Sequence, residues 1–188
     1  MKPTALIDAN VLYRARARSV LLYLAITDVF RVRWSDAIQD EWTTRLLRND
    51  PSIEPKRLAR PRALMEQHVL DASVTGYEAL IDQLTLPDAD DRHVLAAAIH
   101  GEASVIVTEN VRDFPVAALA PDGIRAETAD RFVRALLDSD ADAVLRAIAT
   151  DRANLRNPPL DVDGYLAALV ASNLPETAAA LQAFKDRL

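Results

Sequence analysis

The chain has 188 residues, is half hydrophobic, carries a net charge of −6 and contains only 4 Gly and no Cys. That composition suits one substantial core with an appendage and excludes a fibrous or disordered polymer; the missing Cys excludes disulfides, thiolate metal sites and a Cys nucleophile. No apolar run approaches the roughly 20 residues needed to cross a bilayer, and the amino terminus lacks the layout of a signal peptide, so a cytoplasmic location away from membranes is expected. The charge is uneven: residues 1–62 hold 12 Lys/Arg against 7 Asp/Glu, whereas residues 63–188 hold 10 against 21. A basic surface can therefore persist locally on an acidic chain.

In chain order, residues 4–7 form a short β-prone run that ends at Asp8, with Asn10 close behind. Residues 11–30, rich in Leu, Ala and Arg without Gly or Pro, read as helix, and Arg14 and Arg18 share a face of it. Residues 29–34 alternate as a second strand. Ser35 fits an N-cap before a helix that carries Ile38, Trp42, Leu46 and Leu47. Pro51, Pro55 and Pro61 punctuate a loop region with short helices near Arg57 and Leu64, followed by a strand over 68–74 and a short helix over 77–84. The acidic run 86–91 opens an apolar helix over 94–99, and Gly101 suits its C′ position. Residues 104–107 are the clearest buried strand; Thr108 and Asn110 follow it, and Asp113-Phe114-Pro115 forms a loop.

From Ala126 the pattern is helical over 127–137, 141–155, 161–172 and 176–188, with Asp161 as an N-cap and Leu181, Phe184 and Leu188 as an apolar stripe. There is no internal repeat. The order predicts an α/β domain over 1–125, with a parallel sheet between helices, and a helical extension over 126–188. Sites in such sheets lie beyond the carboxyl ends of strands, where Asp8 and Asn110 fall.

The residues with chemical potential are acids far apart in sequence: Asp8, Glu41, the cluster Asp88/Asp90/Asp91, and Asp113. Two such charges about 4 Å apart repel by about 4 kcal/mol at an effective dielectric near 20. A divalent cation relieves that repulsion, and oxygen ligands without Cys point to Mg2+ or Mn2+. His93 and His100 lie seven apart without a His partner at i+4 and read as structural.

Four stretches in this order resemble the PIN-domain family, and more closely its VapC-type toxins: Leu6-Ile-Asp8-Ala-Asn10-Val-Leu12, Ser35 to Glu41, Asp88 to Ala98, and Val107-Thr-Glu-Asn110-Val-Arg-Asp113-Phe114. The resemblance covers residues 3–120 and implies a Rossmann-like α/β/α sandwich with a central parallel sheet. It implies a metal-dependent endoribonuclease in which Asp8, Glu41 and Asp91 hold Mg2+ or Mn2+. Many members carry Asp where this chain has Asn110, which leaves Asp113 to supply the fourth charge. Asn10, Ser35, Thr108 and Asn110 match a supporting polar shell, while Arg14, Arg18 and Arg112 are candidate RNA contacts. The segment from Asn157-Pro-Pro through Leu169 and on to Ala178 resembles the helical tail of a longer subset of these toxins. A cognate antitoxin and a homodimer are further implications.

Other classes fit less well. A haloacid-dehalogenase-type phosphatase needs a second Asp where Asn10 stands, and a receiver domain needs a Lys near the site, whereas the only lysines are Lys2, Lys56 and Lys185. A non-catalytic RNA-binding or protein-interaction module on the same fold, and an RNA-processing nuclease without an antitoxin, both stay open.

Overall fold

The computed structural model describes residues 2–69, 71–156 and 158–188. In chain order the elements are β1 (Thr4–Ile7), α1 (Ala9–Leu12), α2 (Ala15–Ile26), β2 (Arg31–Arg33), α3 (Asp36–Asn49), α4 (Pro55–His68), α5 (Glu78–Ile81), α6 (Arg92–His100), β3 (Val105–Val107), α7 (Val116–Leu119), β4 (Arg125–Glu127), α8 (Ala129–Ser139), α9 (Ala141–Ala153), α10 (Val162–Ala171) and α11 (Pro175–Leu181). Short 3-10 turns occupy Val111–Asp113, Ala120–Asp122 and Gln182–Arg187. Backbone contacts divide the chain into two compact units, the first comprising the residues up to Tyr13 with Phe30–Glu127, the second Arg14–Val29 with Thr128–Leu188.

The first unit is built on a four-stranded sheet of order β2-β1-β3-β4 with every pairing parallel. The central strands β1 and β3 are almost wholly buried, which is why they read as unbroken apolar runs. The edge strands Arg31-Val-Arg33 and Arg125-Ala-Glu127 carry charges that blunt their open sides. Helix α6 packs on β1 and β3 through a run from Val94 to Ala98 that is buried throughout, and α7 packs on β4. Helix α3 buries Ile38, Gln39 and Trp42, with the Gln39 side chain accepting from the Trp42 indole at 2.7 Å.

Several boundaries differ from the expectations. The helix expected over 11–30 is two helices parted at Tyr13 and Arg14, because Asp8 caps α1 early and Arg14 is extended. The strand expected over 29–34 is trimmed to β2, with Trp34 adding one parallel bridge to Ser73. The loop around Pro61 is instead the 14-residue helix α4. Pro55 starts it where no amide is needed, Leu58 and Met65 bury one face, and Arg62 pairs with Asp36, Asp40 and Glu66. Arg62 ties this helix to Asp36 and Asp40 of α3 one residue after the backbone bond that Pro61 removes. That helix takes His68 from the strand expected over 68–74, which is reduced to the Ser73 bridge; Leu70 lies outside the described residues. Gly101 follows α6 with φ −82, and Glu102 is the residue at positive φ. Gly101 is there for space: a Cβ would meet Val74 Cγ2 at 2.8 Å and the Ala97 carbonyl at 2.9 Å.

The second unit joins α2 to the four helices α8–α11. Helix α2 buries Ala17, Val20, Leu21, Leu24 and Ala25, and α9 is its main partner. At their contact Asp151 is fully buried and accepts from the Ser19 hydroxyl and from Tyr165 Oη (2.6 Å), with the Arg16 guanidinium at 3.4 Å. Asp130 in α8 accepts from the Glu176 and Thr177 amides at 2.7 and 2.8 Å, capping α11 through a residue distant in sequence. Asp161 caps α10 through the Gly164 amide, as expected, while Asn157 of the tail motif lies outside the described residues. Among the described residues no helix is long and apolar enough to cross a membrane.

Candidate functional site

Strands β1 and β3 are neighbours, and the chain leaves their carboxyl ends in different directions, the position at which parallel sheets open a crevice. Asp8 follows β1 there and Thr108 follows β3. Asp8 is only 3% exposed and its carboxylate is held from three sides. Oδ1 accepts from the Ala9 amide at 2.6 Å; Oδ2 accepts from the Asn10 side chain and from the Thr108 hydroxyl, each at 2.7 Å. Thr108 Oγ1 in turn accepts from Asn10 Nδ2 at 3.0 Å and from the Asn110 amide at 3.1 Å, so its one proton and two lone pairs are all engaged. Asn10 Oδ1 accepts from the Glu109 amide at 3.0 Å. Asp8, Asn10 and Thr108 are thus a closed network that bridges the ends of two central strands.

The remaining acids approach this network from other elements. Glu41 lies half-exposed on α3, with His93 Nε2 of α6 at 3.8 Å from its carboxylate. Asp91 is at the N-cap of α6 without a side-chain capping bond, and Asp113 sits in the 3-10 turn after β3, its carboxylate 3.8 Å from Arg112 Nε. Burial, followed by the charges of Asp8, Asp88, Asp113 and Glu41, pushes the Asp91 carboxyl up to about 7. Burial and then Asp8 raise Glu41, with Arg45 opposing. Burial also raises Asp8 against its three hydrogen bonds. Acids from four separate stretches therefore feel one another's charge.

This donor set consists of hard oxygens, and its mutual repulsion is what a small divalent cation neutralises, so its chemistry fits Mg2+ or Mn2+. Among the described residues, however, no three His, Asp or Glu side chains are gathered closely enough to hold an ion. Asp8 is buried and hydrogen-bonded, whereas Asp91 is partly exposed and Glu41 is exposed.

The supporting residues fall into two groups. Asn10 and Thr108 hold Asp8 directly. Ser35 instead caps α3, accepting from the Ile38 amide, and Asn110 is exposed with its backbone amide on Thr108. Arg112 is exposed beside Asp113, and Arg14 and Arg18 belong to the second unit. His93, read from sequence as structural, stands at the acids: burial lowers its pKa while Asp8 and Asp90 oppose, and its Nδ1 is buried without a partner. Arg45 and Arg48, which share a groove with Glu41 and His93, attracted no attention in the sequence. Their i+4 and i+7 spacing from Glu41 was the available signal.

A PIN-domain model matches residues 4–112, and a model described as the VapC50 C-terminal domain matches residues 129–183. A protein of Mycobacterium tuberculosis (strain ATCC 25618 / H37Rv) named "Putative ribonuclease VapC50" is 39% identical over 104 residues. That similarity covers 55% of this chain and 60% of the relative's length. No solved structure matches the chain significantly. With a PIN-domain match over more than half its length and the polar bridge between β1 and β3 inside that match, the chain belongs to the PIN-domain family.

Proposed function

We propose that the chain is a divalent-metal-dependent endoribonuclease of the VapC toxin type, hydrolysing RNA phosphodiesters. The observation that carries this reading is the buried Asp8 carboxylate, fixed by Asn10 and Thr108 where β1 and β3 end, inside the stretch that matches the PIN-domain model. Asp8, Glu41, Asp91 and Asp113 would hold Mg2+ or Mn2+. When bound, the cation supplies Lewis-acid chemistry, polarising a phosphodiester and making a water more acidic. Thr108 and Asn10 keep the Asp8 carboxylate in one orientation, as supporting bonds do for metal ligands. Arg112, exposed beside Asp113, provides a cation for the RNA backbone. Residues 1–125 carry the nuclease and 126–188 the extension. A cognate VapB-type antitoxin, a homodimeric assembly and a cytoplasmic location complete the proposal.

One observation favours a second reading, a PIN-fold RNA-binding module without catalysis: no three acidic or His side chains are preassembled for an ion among the described residues. Purified, antitoxin-free protein incubated with total cellular RNA in Mn2+ or EDTA separates the two. The nuclease cleaves in Mn2+, is silent in EDTA and loses at least 100-fold activity as Asp91→Asn. Asp91 is the cleaner probe, because Asp8→Asn would set an amide against the donors that Asp8 Oδ2 now accepts from. Millimolar Mn2+ should also raise the melting temperature of the wild type more than that of Asp91→Asn, since the ion binds the native state. Metal-independent RNA binding without cleavage would leave the module reading standing.

A further inference from the structure

Beside the acids runs a groove of about 610 Å3 with Glu41 and His93 at one end. One wall is the exposed face of α3, where Glu41, Arg45 and Arg48 follow at i, i+4 and i+7. At 1.5 Å per residue the two arginines stand about 6 and 10 Å beyond Glu41 along the helix. The Arg45 guanidinium lies over the Tyr13 ring, 5.5 Å from its centroid, and Tyr13 Oη accepts from Asn49 Nδ2 at 3.0 Å. The ring is thereby braced by the next turn of α3 and steadies Arg45 without consuming its charge.

Asp40 is the other acid lining the groove, and its carboxylate is paired with Arg62. Among the described residues neither Arg45 nor Arg48 forms an ion pair of its own. The groove therefore runs from a negative end at Glu41 to a positive end formed by the two arginines. A polyanion led to a cluster of acids needs cations immediately beside them, because the chain as a whole carries −6.

We propose that this groove holds the RNA strand on one side of the cleaved bond, with Arg45 and Arg48 binding backbone phosphates; the proposal rests on the ribonuclease reading above. Arginine suits the role through its planar fork of donors. Contacts of this kind position the strand and carry no sequence information. Arg45 and Arg48 are binding residues in this scheme, so their loss acts on KM and on salt dependence more than on the chemical step.

The test uses full-length protein in Mn2+ and a fluorophore–quencher RNA oligonucleotide spanning a cut mapped on total cellular RNA. The variants are Arg45→Ala/Arg48→Ala, Arg45→Lys/Arg48→Lys, and Arg57→Ala as a charge control on exposed α4, with melting temperatures to verify folding. The double alanine variant should lose at least 10-fold in kcat/KM, mainly through KM. Its plot of log kcat/KM against log salt should flatten by about 1.4, from about 0.7 per phosphate contact on a single strand. The double lysine variant should keep the wild-type slope, and Arg57→Ala should match the wild type. A folded double alanine variant with wild-type KM and slope overturns the groove proposal and leaves the nuclease intact. Absence of cleavage by the wild type on any RNA removes the ribonuclease reading and this proposal with it.

Discussion

Asp91 binds its proton tightly because the fold buries it and then sets it among acids, and this has a consequence for stability in metal-free solution. Its carboxyl titrates near 7 in the folded chain against an unperturbed 3.8. Between those values the native state holds the proton and the unfolded state releases it, so stability is fully present below about 4 and declines as pH rises through 7. In EDTA, urea midpoints of the wild type should therefore fall between pH 5 and pH 8, while Asp91→Asn should show a flatter profile and the higher midpoint at pH 8. A profile unchanged by the substitution would mean that burial and the neighbouring acids do not raise Asp91. Much of this residue-scale chemistry was legible beforehand. Asp8, Glu41 and Asp91 stand out by their order, and Ser35 and Asp161 by capping, which depends on amides two or three residues away. The position of His93 was not legible: it lies 3.8 Å from Glu41, which is far upstream on another helix, and an imidazole at the start of an Ala-rich helix looks like packing alone.

At the scale of elements, the strands that read as continuous apolar runs were found because burial on both faces leaves no alternation to misjudge. Helix α4 was expected only as short helices near Arg57 and Leu64 because Pro61 is a strong local breaker, and the sequence does not reveal that Arg62 would find three carboxylates, two of them on α3. Gly101 shows the same division. It was expected at the C′ position that ends the helix, and α6 does end there, yet its φ is −82 and its role is close approach, with Arg33 Nε donating to its carbonyl at 3.3 Å. Gly101→Ala should destabilise the protein by about 1–3 kcal/mol, the usual cost of forcing a methyl into a filled site. Chemical denaturation measures this directly, and an unchanged midpoint would show that Val74 yields without strain. Activity under native conditions should survive, because neither Gly101 nor Val74 lines the groove at Glu41.

For the molecule as a whole, a division at residue 125 follows composition, whereas backbone contacts group Arg14–Val29 with the carboxyl-terminal helices. Composition could not reveal this, since an amphipathic helix does not name the partner of its apolar face. Removal of residues 126–188 would strip α2, which buries Val20, Leu21 and Leu24, of its partners α9 and α10. The fragment 1–125 should accordingly aggregate or expose dye-binding apolar surface, as measured by soluble yield and gel filtration. A monodisperse, cooperatively folding fragment would show that α2 needs no partner from the tail. The buried Asp151, with Ser19 and Arg16 on α2 and Tyr165 on α10, binds the same segments through polar groups.

That discontinuous unit also imposes a schedule on biosynthesis. Helix α2 ends at Ile26, but its main partner helix is complete only at Ala153. At ordinary elongation rates the interval is on the order of 10 s. Throughout it the nascent chain carries α2 without its main partner, so chaperone demand should rise when α2 emerges and fall when α9 clears the ribosome.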